Sequence, residues 1–385
     1  MCLCELRMSP NLTVVIVAFS RFSRDPRIWK SVQSYRRAGA RIVGVGLQEK
    51  GSPTGGMEYH SFPEVFPRGG PVAFAIRYLT FSLFTFMVCV GLALRLRRDV
   101  VLHVCNPPTV LLLACAPLFL KARARVLDIH EFVPLMVEEK FGKRASLWAV
   151  GMLDQGLGMA FSSLCVFVDP VHARRISQAL RVYAPSLIIP NTPMRGLINP
   201  VSGRLPSGPL KFIYPGAMAF GRDLDLLVYA FKSSKLQAGG ATLLMLGDGP
   251  MVPALRKMVR DEGLERVVLF QSAVEYPRAM EMIAQADVGL VPAPRSAMAA
   301  IASPNKLNEF LSLGLPVLAS DTDRFRSLVG SRIDYFIPGD SRSMRTALEM
   351  FLDRNYLEAR RVEAAQVSIR CWEDDFEFLL KQLRV

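Results

Sequence analysis

Short apolar runs rich in β-branched residues alternate with longer amphipathic stretches along almost the whole chain. In the first half, the runs at 12–18, 41–46, 100–104, 124–129, 164–168 and 186–189 read as strands, with helical patterns between several of them. The alternation then restarts, and strands are expected at 211–215, 242–246, 267–270, 287–291, 317–320 and 334–337, each followed by a helix. Runs that are apolar throughout belong to strands covered on both faces, and strand–helix alternation predicts a parallel sheet. Leu224, Leu227, Val228 and Phe231 give the first helix of the second series the i, i+3, i+4, i+7 stripe of a helix packed on such a sheet.

Between the two series lies IPNTPMRGLINPVSGRLPSGP, Ile189 to Pro209, whose proline and glycine content reads as a linker. The fold expected is α/β: two tandem doubly wound Rossmann-like domains facing across a cleft. The first spans 1–195, a linker at 196–209 joins it to a second at 210–353, and 354–385 form two consecutive helices returning to the first domain. A length of 385 residues suits that division, since single cores seldom grow past about 250–300 residues. Such sheets bind ligands beyond the carboxyl ends of their strands, which makes the cleft the expected site.

One apolar stretch stands apart. YLTFSLFTFMVCVGLAL, Tyr78 to Leu94, runs for 17 residues without a charge and is followed by RLRR. That is the lower limit for a membrane span, yet a span there would put strands of one sheet on opposite sides of a bilayer. The expectation is a mostly buried helix with one face available to lipid, as in monotopic enzymes. The apolar run Leu12 to Phe19 is too short and wrongly flanked for a signal peptide, and suits a first buried strand; Met8 is as good a start as Met1.

Composition narrows the class. The chain is 51% hydrophobic with no low-complexity tract or fixed-period repeat, as in ordinary globular proteins. Its seven cysteines lack the paired spacing of a zinc site, which points to a reduced, cytoplasmic compartment. The net charge of +13 is uneven: residues 1–200 carry 24 Lys and Arg against 12 Asp and Glu, and the rest 23 against 22. The first half therefore meets something anionic, a phosphate-bearing substrate or an acidic lipid surface. Nucleic acid is not expected, because its reading motifs and interleaved aromatics are missing.

The chemistry concentrates in ASPNKLNEFLSLGLPVLASD, residues 302–321. Ser303 is an N-cap type, Pro304 suits the first helical position, and Gly314 with Pro316 ends a helix of about 304–313. Leu307, Phe310 and Leu311 form its buried stripe, while Ser303, Lys306 and Glu309 share another face. Free N–H groups near Asn305, the helix dipole and the Lys306 ammonium together make an anion site. Glu309 lies about 9 Å from the cap at about 1.5 Å per residue, the separation of a diphosphate from the ribose of the same nucleotide. A carboxylate there accepts vicinal ribose hydroxyls. The alternative is a capped surface helix with a solvated lysine and glutamate.

SPNKLNEFLSLGLPVLAS resembles the donor-binding segment of two-domain GT-B glycosyltransferases close to glycosyltransferase family four (group 1). SRFSRDPRIWKSVQSYRRAGARIVGVG, LHVCNPPTVLLLACAPLFLKARARVLDIHEFVP, FIYPGAMAFGRDLDLLVYAF, LLMLGDGP and ADVGLVPA follow the family's order from about Val14 to Trp372. The resemblance implies transfer of a sugar from a UDP- or GDP-linked donor, with no cofactor or metal required. It implies that Arg222 and Lys306 neutralise the departing diphosphate, with Gly216 allowing close backbone approach. Ser303, Asn305, Lys306 and Glu309 belong to the donor site, and Asp248 is either a donor-positioning carboxylate or a turn residue. His130 and Glu131 resemble the family's sugar-contacting pair and are the catalytic candidates. Asp25 and Arg27, after the first strand, are candidates for holding the acceptor. Asp223 and Asp225 imitate a metal-binding Asp-x-Asp but read as helix-start residues.

The family usually has a second glutamate eight positions before the ribose-binding one, where this chain has Ile301; the donor sugar and the stereochemical outcome stay open. CNPPTVLLLA resembles enzymes that glycosylate polyprenyl diphosphates, so the acceptor expected is lipid-linked or a glycan, met at the inner face of the membrane. The rivals are a nucleotide-sugar epimerase of the same fold and an inactive nucleotide-sugar-binding protein.

Overall fold

The computed structural model describes residues 7–9, 11–49, 56–64, 69–198, 208–293, 296–297, 299–301 and 304–384. It divides into two units, Met1–Asn191 with Trp372–Val385, and Thr192–Cys371.

In the first unit the described strands are β1 (Thr13–Ala18), β2 (Arg41–Leu47), β3 (Glu58–Phe62), β4 (Val100–Cys105), β5 (Ala122–Ile129), β6 (Leu164–Phe167) and β7 (Ser186–Ile188). They form one parallel sheet in the order β3-β2-β1-β4-β5-β6-β7. Every residue of β1, β4 and β6 is buried, which is why these strands read as unbroken apolar runs. β3, EYHSF, escaped the sequence reading because it is an edge strand, mostly half-exposed and without an apolar run. The helices are α1 (Pro26–Arg37), α2 (Pro71–Arg95), α3 (Leu111–Ala114), α4 (Val133–Phe141), α5 (Ala145–Phe161) and α6 (Pro170–Leu180).

α2 corrects the expectation of a mostly buried helix. Phe81, Thr85, Cys89 and Leu92 form one inward stripe, but only 17% of its most apolar window is buried. Val72, Ile76, Leu79, Leu83, Met87, Val90 and Leu94 make an exposed apolar row. A single stripe suffices to pack a helix on a sheet, so the apolar character of the far face is not explained by the fold. By length and composition α2 could also cross a membrane.

The second unit has β8 (Lys211–Pro215), β9 (Thr242–Leu246), β10 (Val268–Gln271), β11 (Val288–Val291), β12 (Val317–Ser320) and β13 (Asp334–Phe336), parallel in the order β10-β9-β8-β11-β12-β13. Its helices are α7 (Leu224–Lys232), α8 (Val252–Asp261), α9 (Tyr276–Ala284), α10 (Asn305–Ser312), α11 (Asp323–Val329), α12 (Ser341–Met350) and α13 (Arg354–Ala365). Strand order reverses between β1 and β4 in the first sheet and between β8 and β11 in the second, which marks where each sheet opens to a ligand.

The chain end departs from the expected boundaries. α13 stays with the second unit: Leu357 joins its core, and Arg361 makes a buried ion pair at 2.6 Å with Asp287, just before β11. Only α14 (Trp372–Gln382) packs on the first unit. There Trp372 is fully buried, its Nε1 donates to Ser34 Oγ at 3.0 Å, and Lys30 sits 4.6 Å from its ring centroid. The division between units falls after Asn191, a few residues before the expected linker, of which 199–207 lie outside the described residues.

Candidate functional site

In the second unit, the loops after β8 and β9 are joined by backbone hydrogen bonds from Gly216 N to Leu246 O, 2.8 Å, and from Met218 N to Asp248 O, 2.9 Å. They approach so closely that a Cβ on Gly247, at φ +145°, would collide with the Gly216 carbonyl. The glycine of GDGP is thus explained by loop-to-loop contact. Asp248 is exposed at the turn and contributes its backbone carbonyl to that contact.

α10 lies beside this double loop. Phe310 covers the bare Gly289 of β11, and Leu307, Phe310 and Leu311 are buried, matching the expected stripe. The helix starts one residue later than expected: Pro304 is in the cap position with extended backbone (φ −69°, ψ 129°), and no side chain caps the N-terminus among the described residues. Ser303 lies outside the described residues.

The solvated-surface reading of Lys306 and Glu309 is overturned, because they are 9% and 5% exposed. Lys306 Nζ has no hydrogen-bond partner among the described residues and sits 4.0 Å from the centroid of the Tyr214 ring. Gly216, at φ +129°, lies beside it: a Cβ there would make ordinary contact with Nζ at 3.4 Å. Burial, then the nearby Arg222 guanidinium, push the Lys306 pKa well below the ordinary lysine value, while Glu309 pulls it up. Arg222 is exposed and also acts on the buried Tyr214 hydroxyl, opposing the rise that burial imposes on it. The buried Asn305 Oδ1 is likewise without a partner. Among the described residues, amides without a side-chain cap, an amine without a hydrogen-bond partner and a guanidinium lie near one another, an arrangement that suits an anion.

Two further sequence positions resolve differently. Asp223 takes φ +50° and accepts from Gly339 N at 3.1 Å, while Asp225 is exposed on the first turn of α7, so the pair does not converge on one ligand. Ile301 is buried at 2% exposure and offers no polar group to a sugar.

In the first unit, the C-terminal end of β5 carries a charged cluster. Asp128, 1% exposed, takes two hydrogen bonds from Arg27 Nε, at 3.0 and 2.9 Å, and one from Nη2 at 2.8 Å. His130 Nε2 lies 3.2 Å from its Oδ2, and His103 Nε2 lies 3.4 Å from the same oxygen. Burial alone would raise the Asp128 pKa, but Arg27, His130 and His103 hold it well below the usual carboxylate range. His130 is partly exposed beyond this anchor.

The backbone of His130 and Glu131 is pinned by Asn106. Its Oδ1 accepts from both amides, at 2.7 and 3.2 Å, and its Nδ2 donates to Glu131 O at 2.8 Å.

The structure engages Asp25 and Arg27 with partners inside the first unit. Asp25 caps α1 by accepting from Arg27 N and Ile28 N. Arg27 is 3% exposed and spends its guanidinium on Asp128, Ile189 O and Asn191 Oδ1. The sequence reading missed Asp128, although a strand period of two places it on the same side as His130. Among the described residues, His103, Cys105 and Asp128 are grouped closely enough to hold a metal ion, but Arg27 and Tyr35 already engage that cluster.

Two parallel doubly wound sheets, the second carrying this anion site, are the architecture of GT-B glycosyltransferases. Residues 209–354, most of the second unit, match the family model described as Glycosyl transferases group 1, to whose members this unit is similar. No curated protein matches the sequence. Among solved structures, sucrose-phosphate synthase from Thermosynechococcus elongatus is similar with a TM-score of 0.69 and 14% identity, over 97% of this chain and 99% of that one. Anabaena HepE in complex with UDP and glucose gives 0.65 and 16%, over 96% and 100%. The lipopolysaccharide outer core galactosyltransferase WaaB gives 0.56 and 12%, over 96% and 99%. At these identities the likeness is one of fold.

Proposed function

We propose that this chain transfers a hexosyl group from a UDP- or GDP-sugar to a lipid-linked or glycan acceptor at the cytoplasmic face of a membrane. The observation that carries the reading is Lys306, a buried amine with no hydrogen-bond partner among the described residues, on the first turn of a helix whose N-terminus no described side chain caps. With Arg222 it meets the charge that grows on the diphosphate as the glycosidic bond breaks, so the stabilising groups belong to the protein and no metal is required. Glu309 takes the ribose hydroxyls. His130, anchored by Asp128, and Glu131 act on the sugar and on the acceptor hydroxyl.

Membrane association is supported by the exposed row on α2. Right-handed crossovers put α2 and α5 on the same face of their sheet, and α5 adds exposed Val150, Leu153 and Phe161. Exposed Arg97 and Arg98 follow α2, and Lys143 and Arg144 precede α5, a rim suited to anionic lipid. The similarity to WaaB, a lipopolysaccharide outer core galactosyltransferase, is consistent with a glycan or lipid-carried acceptor.

The test is incubation with radiolabelled UDP- and GDP-sugars and a membrane lipid extract, with and without EDTA. Labelled lipid formed in both supports the reading. An altered free sugar nucleotide with no labelled lipid would instead make the chain an epimerase, and binding without turnover an inactive binder.

A further inference from the structure

A lysine ammonium that is nine-tenths buried and makes no hydrogen bond needs something to hold it. Four features do so. The Tyr214 ring face lies 4.0 Å away, within the range of a cation–π contact. That ring is immobile: Tyr214 is fully buried in the core of its unit, and its hydroxyl donates to Ala217 O at 2.9 Å. Gly216, two residues on, lies against the amine on another side. Phe310, one turn along α10, locks the helix against β11. The ionisable groups acting on the amine are Tyr214 from β8, Arg222 from the loop after it and Glu309 from its own helix.

Resting on the donor-site reading above, we propose that Tyr214 is a positioning residue: its ring face holds the Lys306 amine where the donor diphosphate binds. A ring attracts a cation without supplying a negative charge, so it fixes the amine and leaves the counter-charge to the ligand. A carboxylate in its place would neutralise the lysine and compete with the diphosphate.

The experiment is calorimetry of the full chain with UDP and with GDP, so that affinity is read directly. Tyr214→Phe keeps the ring, and substitution with phenylalanines of increasing ring fluorination keeps its shape while draining the negative potential of its face. The proposal expects Tyr214→Phe to bind with affinity within about threefold of the natural protein. Along the fluorinated series Kd rises stepwise to about tenfold, the size of a desolvated cation–π contact. In Lys306→Met the series is flat. A flat Kd along the series in the natural protein, or a rise that survives in Lys306→Met, overturns the positioning role while leaving the donor site standing. Failure of the natural protein to bind either nucleotide overturns the donor site itself, and this proposal with it.

Discussion

Replacing Lys306 by methionine removes the ammonium but keeps an unbranched apolar stem of similar length. In the donor complex the change deletes a charge-assisted hydrogen bond to a phosphate oxygen, worth about 1.5–3 kcal/mol, or about 10- to 150-fold in kcat/KM for the sugar nucleotide. In the empty protein the sign is opposite. Lys306 is buried, unbonded and next to Arg222, so its pKa in the fold lies below that in the unfolded chain. Between those two values the unfolded chain binds one more proton than the folded one. Stability from this group therefore rises with pH, by about 1.4 kcal/mol per unit, and is fully regained only above the ordinary lysine value of about 10.4. Lys306→Met abolishes that penalty. The expected variant is crippled in turnover, yet melts at or above the natural temperature at pH 7, with a flatter stability profile between pH 7 and 10. Steady-state kinetics and thermal unfolding across that range check both halves. A variant with unchanged kcat/KM and a lowered Tm would refute the reasoning, because it would make Lys306 a structural residue.

Asp128→Asn breaks the buried pair with Arg27 and is expected to destabilise the first unit by about 3–5 kcal/mol in urea unfolding at pH 7. Since Arg27, His130 and His103 depress the Asp128 pKa, the gap between natural and variant proteins should persist at pH 5 and shrink as the carboxylate protonates below about pH 4. Gly247→Ala adds a Cβ against the Gly216 carbonyl at φ +145°, imposing strain of about 1–3 kcal/mol; nucleotide affinity should fall by calorimetry while circular dichroism stays native. Leu79→Glu with Leu83→Glu places two carboxylates on the exposed α2 row. Sedimentation with anionic vesicles should drop by more than about 100-fold, from at least about 3 kcal/mol of lost burial, with nucleotide binding retained.

What the sequence made legible follows the range of the interactions involved. Strands such as Val14–Val17 and Val101–Val104 were visible because burial on both faces leaves no polar position to blur the run. The polar edge strand β3 has no such signature. α10 was readable from its own residues, since helix ends and the Leu307, Phe310, Leu311 stripe are local features. The burial of Lys306 was not, because the ring that covers it comes from position 214. Arg27 misled for the same reason: its partners Asp128 and Ile189 lie 101 and 162 positions away, so a loop arginine looked available when it was committed to the core. α2 shows the converse, since apolar composition alone does not distinguish a face that meets protein from one that meets something else.

A crystal of the protein grown with UDP or GDP tests the central claim most directly. The account predicts diphosphate oxygens within hydrogen-bond distance of Lys306 Nζ and the backbone N–H groups at the start of α10, with Arg222 drawn in and Glu309 on the ribose. A nucleotide bound elsewhere, with Lys306 still enclosed on the Tyr214 ring and touching no phosphate, would contradict it.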